Sequence, residues 1–225
     1  MSPGPKMLLN GLVGLAIYGA LSFIPAWTFD YWQAWALLVI MYVVSTCFPA
    51  LYLMGRNPAA LERRLRGGPT EEGRSVQKGV MAGLWLAVGA QFVVSALDHR
   101  FGWSRVPTAV CVVGLIVAAL GLFVVSLVII QNSYAAAVVR VEEGQTVVST
   151  GLYGLMRHPM YTGNLLVMVG IPLALGSYWG LIFVILFVGV ITVRIRDEEG
   201  LLRNELQGYS EYTQKVRYRL VPGVW

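Results

Sequence analysis

The chain has 225 residues, of which 56% are hydrophobic and only 13% charged, and its mean hydropathy is +0.64. Soluble domains carry about 25% charged residues, so this composition describes an integral membrane protein. The 17 Lys and Arg against 12 Asp and Glu give a charge of +5, but no basic stripe accompanies them; the excess reads as an orientation signal and excludes a nucleic-acid partner.

A bilayer core needs roughly 20 apolar residues per helix, and the first runs of that length are residues 7–27 and 31–54. Lys6 before the first run resembles the start of a signal sequence, but the run is too long and no small-residue cleavage pattern follows it, so it is expected to stay as an anchor. Trp27, Tyr31, Trp32 and Trp35 with Asp30 mark an interface between the two runs. The longest polar connection follows, residues 55–78, with Arg56, Arg63, Arg64, Arg66, Arg74 and Lys78. By the positive-inside tendency it faces the cytoplasm.

Residues 79–97 form the next expected span, 98–107 a short connection and 108–130 a return. That parity puts 131–160 on the cytoplasmic side, a polar segment with Arg140, Glu142 and Glu143 and the breakers Gly144, Gly151 and Gly154. From 161 to 195 the chain is apolar again, interrupted only around Gly176 to Gly180. One helix of that length overshoots the bilayer at about 1.5 Å per residue, so a helical hairpin is expected. It returns the segment 197–225 to the cytoplasmic side. The expected fold is all-α and polytopic: a single membrane domain of about six transmembrane helical segments, the last two a hairpin, with both termini cytosolic. Residues 1–130 supply the amino-terminal helices and 131–225 the functional region.

Cys47 and Cys111 lie in apolar runs without a thiol or histidine at ligand spacing, which points away from a disulfide framework or a zinc site. His99 and His158, the only histidines, fall on opposite expected faces, which disfavours a haem or di-iron centre. No metal site is expected.

Two polar clusters flank the hairpin: Arg157-His158-Pro159-Met160-Tyr161-Thr162-Gly163 before it, and Arg194, Arg196, Asp197, Glu198 and Glu199 after it. Folding back brings them together. Ionisable groups at such a depth are costly unless used or paired. Pro159 suits the first helical position and places His158 at the cap, where exposed N–H groups favour an anionic group; the plainer alternative is an ordinary interfacial helix start. Arg194 and Glu198 share a helical face, and a solvated ion pair is the plainer alternative there. Tyr153, Tyr161, Tyr209 and Tyr212 could be simple interfacial anchors.

As an ordered set these residues resemble the isoprenylcysteine carboxyl methyltransferase family of integral membrane enzymes. The set is Thr150-Gly151-Leu152-Tyr153, the Arg157 to Gly163 run, the apolar hairpin, Arg194-Ile195-Arg196-Asp197-Glu198-Glu199, Gly208-Tyr209-Ser210-Glu211-Tyr212, and Arg219-Leu220-Val221-Pro222-Gly223. The resemblance covers roughly the last two-fifths of the chain. It implies a protein that binds S-adenosylmethionine, releases S-adenosylhomocysteine, and passes the methyl group to a lipophilic acceptor arriving from the membrane lipid. It further implies that Gln145, Thr146, Val147 and Val148 form a strand-like wall over the cofactor with Tyr153 nearby. His158, Pro159, Met160 and Tyr161 would line the other side, Glu198 would hold a polar group of the cofactor, and Arg194 would act catalytically by facing the acceptor's carboxylate or its equivalent. Leu152 stands where many relatives carry proline, and Asp197-Glu198-Glu199 leaves open which carboxylate binds.

An isoprenoid-bearing carboxylate or thiol ranks first as acceptor, then a phospholipid amine, then a small thiol. The competing class is a non-enzymatic transporter or structural protein. Transporters place ionisable residues near the midplane, whereas these clusters lie at expected helix ends. Short loops fit a bacterial inner membrane or, in a eukaryote, the endoplasmic reticulum.

Overall fold

The computed structural model describes residues 3–58, 61–62, 75–132, 134 and 144–225. Arg63, Arg64, Arg66 and Arg74 of the basic connection, and Arg140, Glu142 and Glu143, lie outside the described residues. The chain order is α1 (Pro3–Ala26), α2 (Trp32–Tyr42), a wide π turn (Val43–Cys47), α3 (Phe48–Arg56), α4 (Ser75–Phe101), α5 (Thr108–Gln131), a 3-10 turn (Gly151–Gly154), α6 (Pro159–Ala174), a second 3-10 turn (Trp179–Leu181), α7 (Ile182–Glu205) and α8 (Tyr209–Lys215). Among the described residues five stretches are long and apolar enough to cross a membrane: Gly4–Ala26, Trp32–Arg56, Gln77–Phe101, Thr108–Gln131 and Trp179–Glu205; Pro159–Ala174 is a shorter apolar helix. The all-helical, polytopic architecture expected from the sequence is the one observed, and the protein is an integral membrane protein.

These helices leave Leu86, Ile116, Ile182 and Ile185 exposed, as side chains facing lipid rather than water should be. Inter-helix contact therefore depends on close approach more than on hydrophobicity. The tightest pairing is α5 against α6, and glycines allow it. A Cβ on Gly121 would lie 2.6 Å from the carbonyl oxygen of Gly163, and one on Gly170 would lie 2.4 Å from the backbone nitrogen of Ala118. This crossing carries α6 into the bundle.

The hairpin turns where the sequence suggests. Gly176 adopts a left-handed φ of +74°, a conformation glycine enters at little cost. The turn is pinned from other helices: the buried Asp98 carboxylate accepts from the Ser104 N–H (2.6 Å), the Ser104 hydroxyl (2.7 Å) and the Ser177 hydroxyl (2.5 Å). Tyr31 donates its hydroxyl to the Leu175 carbonyl at 2.6 Å.

Two features differ from expectation. Asp98 belongs to the last turn of α4, since that helix runs to Phe101. The π turn at Val43–Cys47 interrupts what reads as one regular helix; the Ser126 hydroxyl donates to the Val44 carbonyl at 2.8 Å, giving the displaced backbone a partner.

Candidate functional site

Helix α6 starts at Pro159 with His158 as its cap residue, and the end of α7 comes back beside it. The two polar clusters flanking the hairpin therefore meet at one end of the bundle. Between them lies a cleft with ≈ 830 Å³ of empty space, a figure that includes open solvent at its mouth.

One wall is the irregular backbone of Gln145, Thr146, Val147 and Val148, all of which line the cleft. Among the described residues, 145–149 have no regular secondary structure and no pairing strand, so this wall is chain without a ladder partner there. Tyr153 stands next to it, its hydroxyl accepting from the Asn132 amide at 3.0 Å and its carbonyl accepting from the Tyr212 hydroxyl at 2.7 Å. Burial pushes the Tyr153 phenol up to about 12; the Asn132 hydrogen bond opposes this and the Glu198 charge adds to it. The floor is apolar, with Leu202 and Leu206 from the end of α7 and Tyr209 and Tyr212 from α8. Burial also raises both of these phenols. The Tyr209 hydroxyl is buried and finds no hydrogen-bond partner among the described residues.

The opposite wall is His158, Met160 and Tyr161. Pro159, expected among them, is buried but does not line the cleft; as the opening residue of α6 it fixes where its neighbours point. The acidic run divides by helical geometry, about 100° per residue. Glu198 lines the cleft and accepts from the Tyr161 hydroxyl at 2.5 Å. Glu199 continues the buried stripe of Phe187, Ile191 and Ile195 and points inward. Its carboxylate lies 3.3 Å from Arg157 Nε, 3.3 Å from the His158 ring, 3.1 Å from Arg219 and 3.7 Å from the half-exposed Arg203. The Arg157 contact is an ion pair without hydrogen-bond alignment.

Arg194, the residue expected to face an acceptor, does not line this cleft. It is 3% exposed, donates Nε to the Tyr161 hydroxyl (2.8 Å) and Nη1 to the Gln77 side-chain oxygen (2.8 Å). Its place on α7, one turn before Glu198, puts the guanidinium behind Tyr161.

The segment after α8 straps this assembly together. Arg157 and His158 donate their backbone N–H groups to the carbonyls of Tyr218 and Arg219, both at 2.9 Å. Thr162 donates its hydroxyl to the Leu220 carbonyl at 2.7 Å. Gln77 and Asn132 belong to this network without any sequence signal for it, whereas Arg157 and Arg219 stand in the ordered motifs but carry no expected role of their own. Only the arginines carried a signal: a carboxylate on the apolar stripe of α7 requires cations nearby.

A helical membrane protein with a mixed polar and apolar cleft at one end of the bundle is the class that fold and site define. The chain belongs to the phospholipid methyltransferase family, within the isoprenylcysteine carboxyl methyltransferase-like group of integral membrane proteins, whose model matches residues 109–207. It is 30% identical to the cobalt-zinc-cadmium resistance protein CzcN of Cupriavidus metallidurans, over 71% of this chain and 68% of that one. It is 29% identical to the delta(14)-sterol reductase TM7SF2 of Mus musculus over 36% of this chain, and 32% identical to a probable 7-dehydrocholesterol reductase of Acanthamoeba polyphaga mimivirus over 34%. It spans only 20% and 18% of those two reductases. Among the described residues no group of three or more His, Cys, Asp and Glu is placed to hold a metal ion.

Proposed function

We propose that the protein is an S-adenosylmethionine-dependent methyltransferase acting on a lipophilic acceptor at the membrane surface, and that the cleft holds the cofactor. The observation that carries this reading is the convergence of residues 145–148, Tyr153, His158, Met160, Tyr161 and Glu198 on one cavity. The donor set fits the cofactor: Glu198 offers a carboxylate to an ammonium group, Leu202, Leu206 and Val147 offer apolar surface to a nucleoside, and the Tyr209 hydroxyl, unpartnered among the described residues, offers a hydrogen bond.

When bound, S-adenosylmethionine supplies an activated methyl group on a sulfonium. The protein's own residues supply binding, alignment and exclusion of water. Tyr161 keeps its hydroxyl proton aimed at Glu198 because Arg194 donates to the same oxygen from behind. Residues 217–220 close the wall at His158. The acceptor enters from the lipid phase; an isoprenoid-bearing carboxylate or thiol ranks ahead of a phospholipid amine and a small thiol. Because Arg194 is engaged behind the wall, it belongs to the machinery that shapes the site rather than to acceptor capture. The basic connection 55–78 would place this end of the bundle, and both termini, in the cytosol, at a bacterial inner membrane or the endoplasmic reticulum.

Calorimetric titration of S-adenosylhomocysteine into the protein in lipid nanodiscs is the direct test. Binding is expected, and Glu198→Ala is expected to abolish it. A parent protein that shows no heat of binding, with labelled S-adenosylmethionine leaving no label in added lipid extract, removes the proposal. The likeness to two sterol reductases favours a second reading, hydride transfer from NADPH to a sterol-like double bond. It forecasts binding of NADPH and none of S-adenosylhomocysteine.

A further inference from the structure

Gln77 is a fully buried polar residue near the start of α4, outside the segment matched by the family model, and neither the motif set nor the cleft lining includes it. Both ends of its amide are engaged across more than a hundred residues of sequence: the oxygen accepts from Arg194 Nη1 at 2.8 Å, and the nitrogen donates to the Asp197 carboxylate. Arg194 in turn donates Nε to Tyr161, and Tyr161 donates to Glu198. Gln77 thus sits at the start of an unbroken line of hydrogen bonds that ends on a carboxylate in the cleft.

Donation in this line runs outward from Arg194, to Gln77 on one side and through Tyr161 to Glu198 on the other. An arginine side chain can rotate about several bonds, and nothing in Tyr161 alone decides which guanidinium edge it meets. Gln77 fixes Nη1, which leaves Nε facing the tyrosine oxygen. With that oxygen accepting from Arg194, the phenolic proton goes to Glu198. An amide suits this position because it accepts from the cation and donates to the anion at once, whereas a carboxylate or an ammonium would satisfy only one of them. Residues buried this deeply normally have every polar atom met, and here the partners are two ionised groups on one turn of α7.

We infer that Gln77 is a positioning residue for the cleft: by orienting Arg194 it sets the Tyr161–Glu198 pair that faces the bound methyl donor. The inference rests on the methyl-donor reading of the cleft and adds to it a residue from the amino-terminal half of the protein.

The test compares Gln77→Leu and Gln77→Glu with the parent in nanodiscs. Gln77→Leu removes both contacts, and since hydrogen bonds to charged groups are the strong ones, S-adenosylhomocysteine affinity should fall about tenfold or more. Gln77→Glu keeps an oxygen for Arg194 while losing the donor to Asp197, so its affinity should fall less than that of Gln77→Leu and by under about tenfold. The second readout needs no ligand: the Arg194 Nε–H resonance in 15N-arginine-labelled protein, assigned by its loss in Arg194→Lys, should shift in Gln77→Leu and much less in Gln77→Glu. A parent that binds the ligand while Gln77→Leu binds it equally well overturns this inference alone. A parent that binds none overturns the methyl-donor reading, and the resonance then still decides whether Gln77 orients Arg194. An unmoved resonance in Gln77→Leu overturns the inference in either case. If Gln77→Leu does not fold, the ratio between Gln77→Glu and the parent in both readouts decides it, a resonance equal to the parent's with affinity lowered more than tenfold counting against.

Discussion

Each end of the helix bundle buries a carboxylate, and the two are satisfied in different ways. Asp98, at the end of α4, is met by two serine hydroxyls and a backbone N–H that belong to the turns beside it. Glu199, on α7, is met by Arg157, His158 and Arg219, and two of those, Arg157 and His158, also line the cleft. Burial of a charge therefore does not by itself mark a site. What separates the two ends is whether the partners have a second surface facing open space: at Asp98 they close a turn, at Glu199 they form a wall.

That contrast can be broken or sharpened by substitution. The largest effect is expected for Glu199→Ala, which leaves the buried Arg157 guanidinium without its carboxylate and takes the same partner from His158 and Arg219; stability should fall by about 3–5 kcal/mol, read as denaturant unfolding in detergent, with ligand binding lost as well. Asp98→Ala comes next. It strips three donors of their acceptor and should cost about 1.5–3 kcal/mol, yet the folded fraction should bind S-adenosylhomocysteine as the parent does. Weakened binding in a fully folded Asp98→Ala protein would erase the distinction between the two ends.

A smaller change, Tyr161→Phe, removes the hydroxyl between Arg194 and Glu198; calorimetry should show about a tenfold loss of ligand affinity, and stability should fall by about 1–3 kcal/mol because the buried Arg194 Nε–H loses its acceptor. The smallest is Tyr209→Phe. Its hydroxyl has no partner among the described residues, so its removal should leave stability level or slightly raised while binding weakens a few-fold, which equilibrium dialysis can resolve.

Much of this architecture is legible in the sequence because a bilayer imposes one length on every helix. The run 108–130 coincides with α5 almost to the residue, and Gly176 breaks the last apolar stretch where the chain turns. Pro159 announces the start of α6 for a local reason, its fixed φ and missing N–H. What is not legible depends on three-dimensional neighbours. The division of labour within Asp197-Glu198-Glu199 turns on how far α7 continues and on which side α6 lies. Gln77 has no sequence signature, since a glutamine at a helix start reads as a solvated surface residue until Arg194 and Asp197 are seen against it. The π turn escapes because its residues, Val43 to Cys47, include no glycine or proline to mark an irregularity.

The strap formed by residues 217–220 bears on how the protein is made. Its carbonyls hold Arg157, His158 and Thr162, yet it follows every apolar helix in the order of synthesis. Chains are laid down from the amino terminus at about 5–20 residues per second, so all the bilayer-crossing segments must leave the ribosome before the wall at His158 can set. A nascent chain halted anywhere before Tyr218 would be threaded into the bilayer and still have no finished cavity.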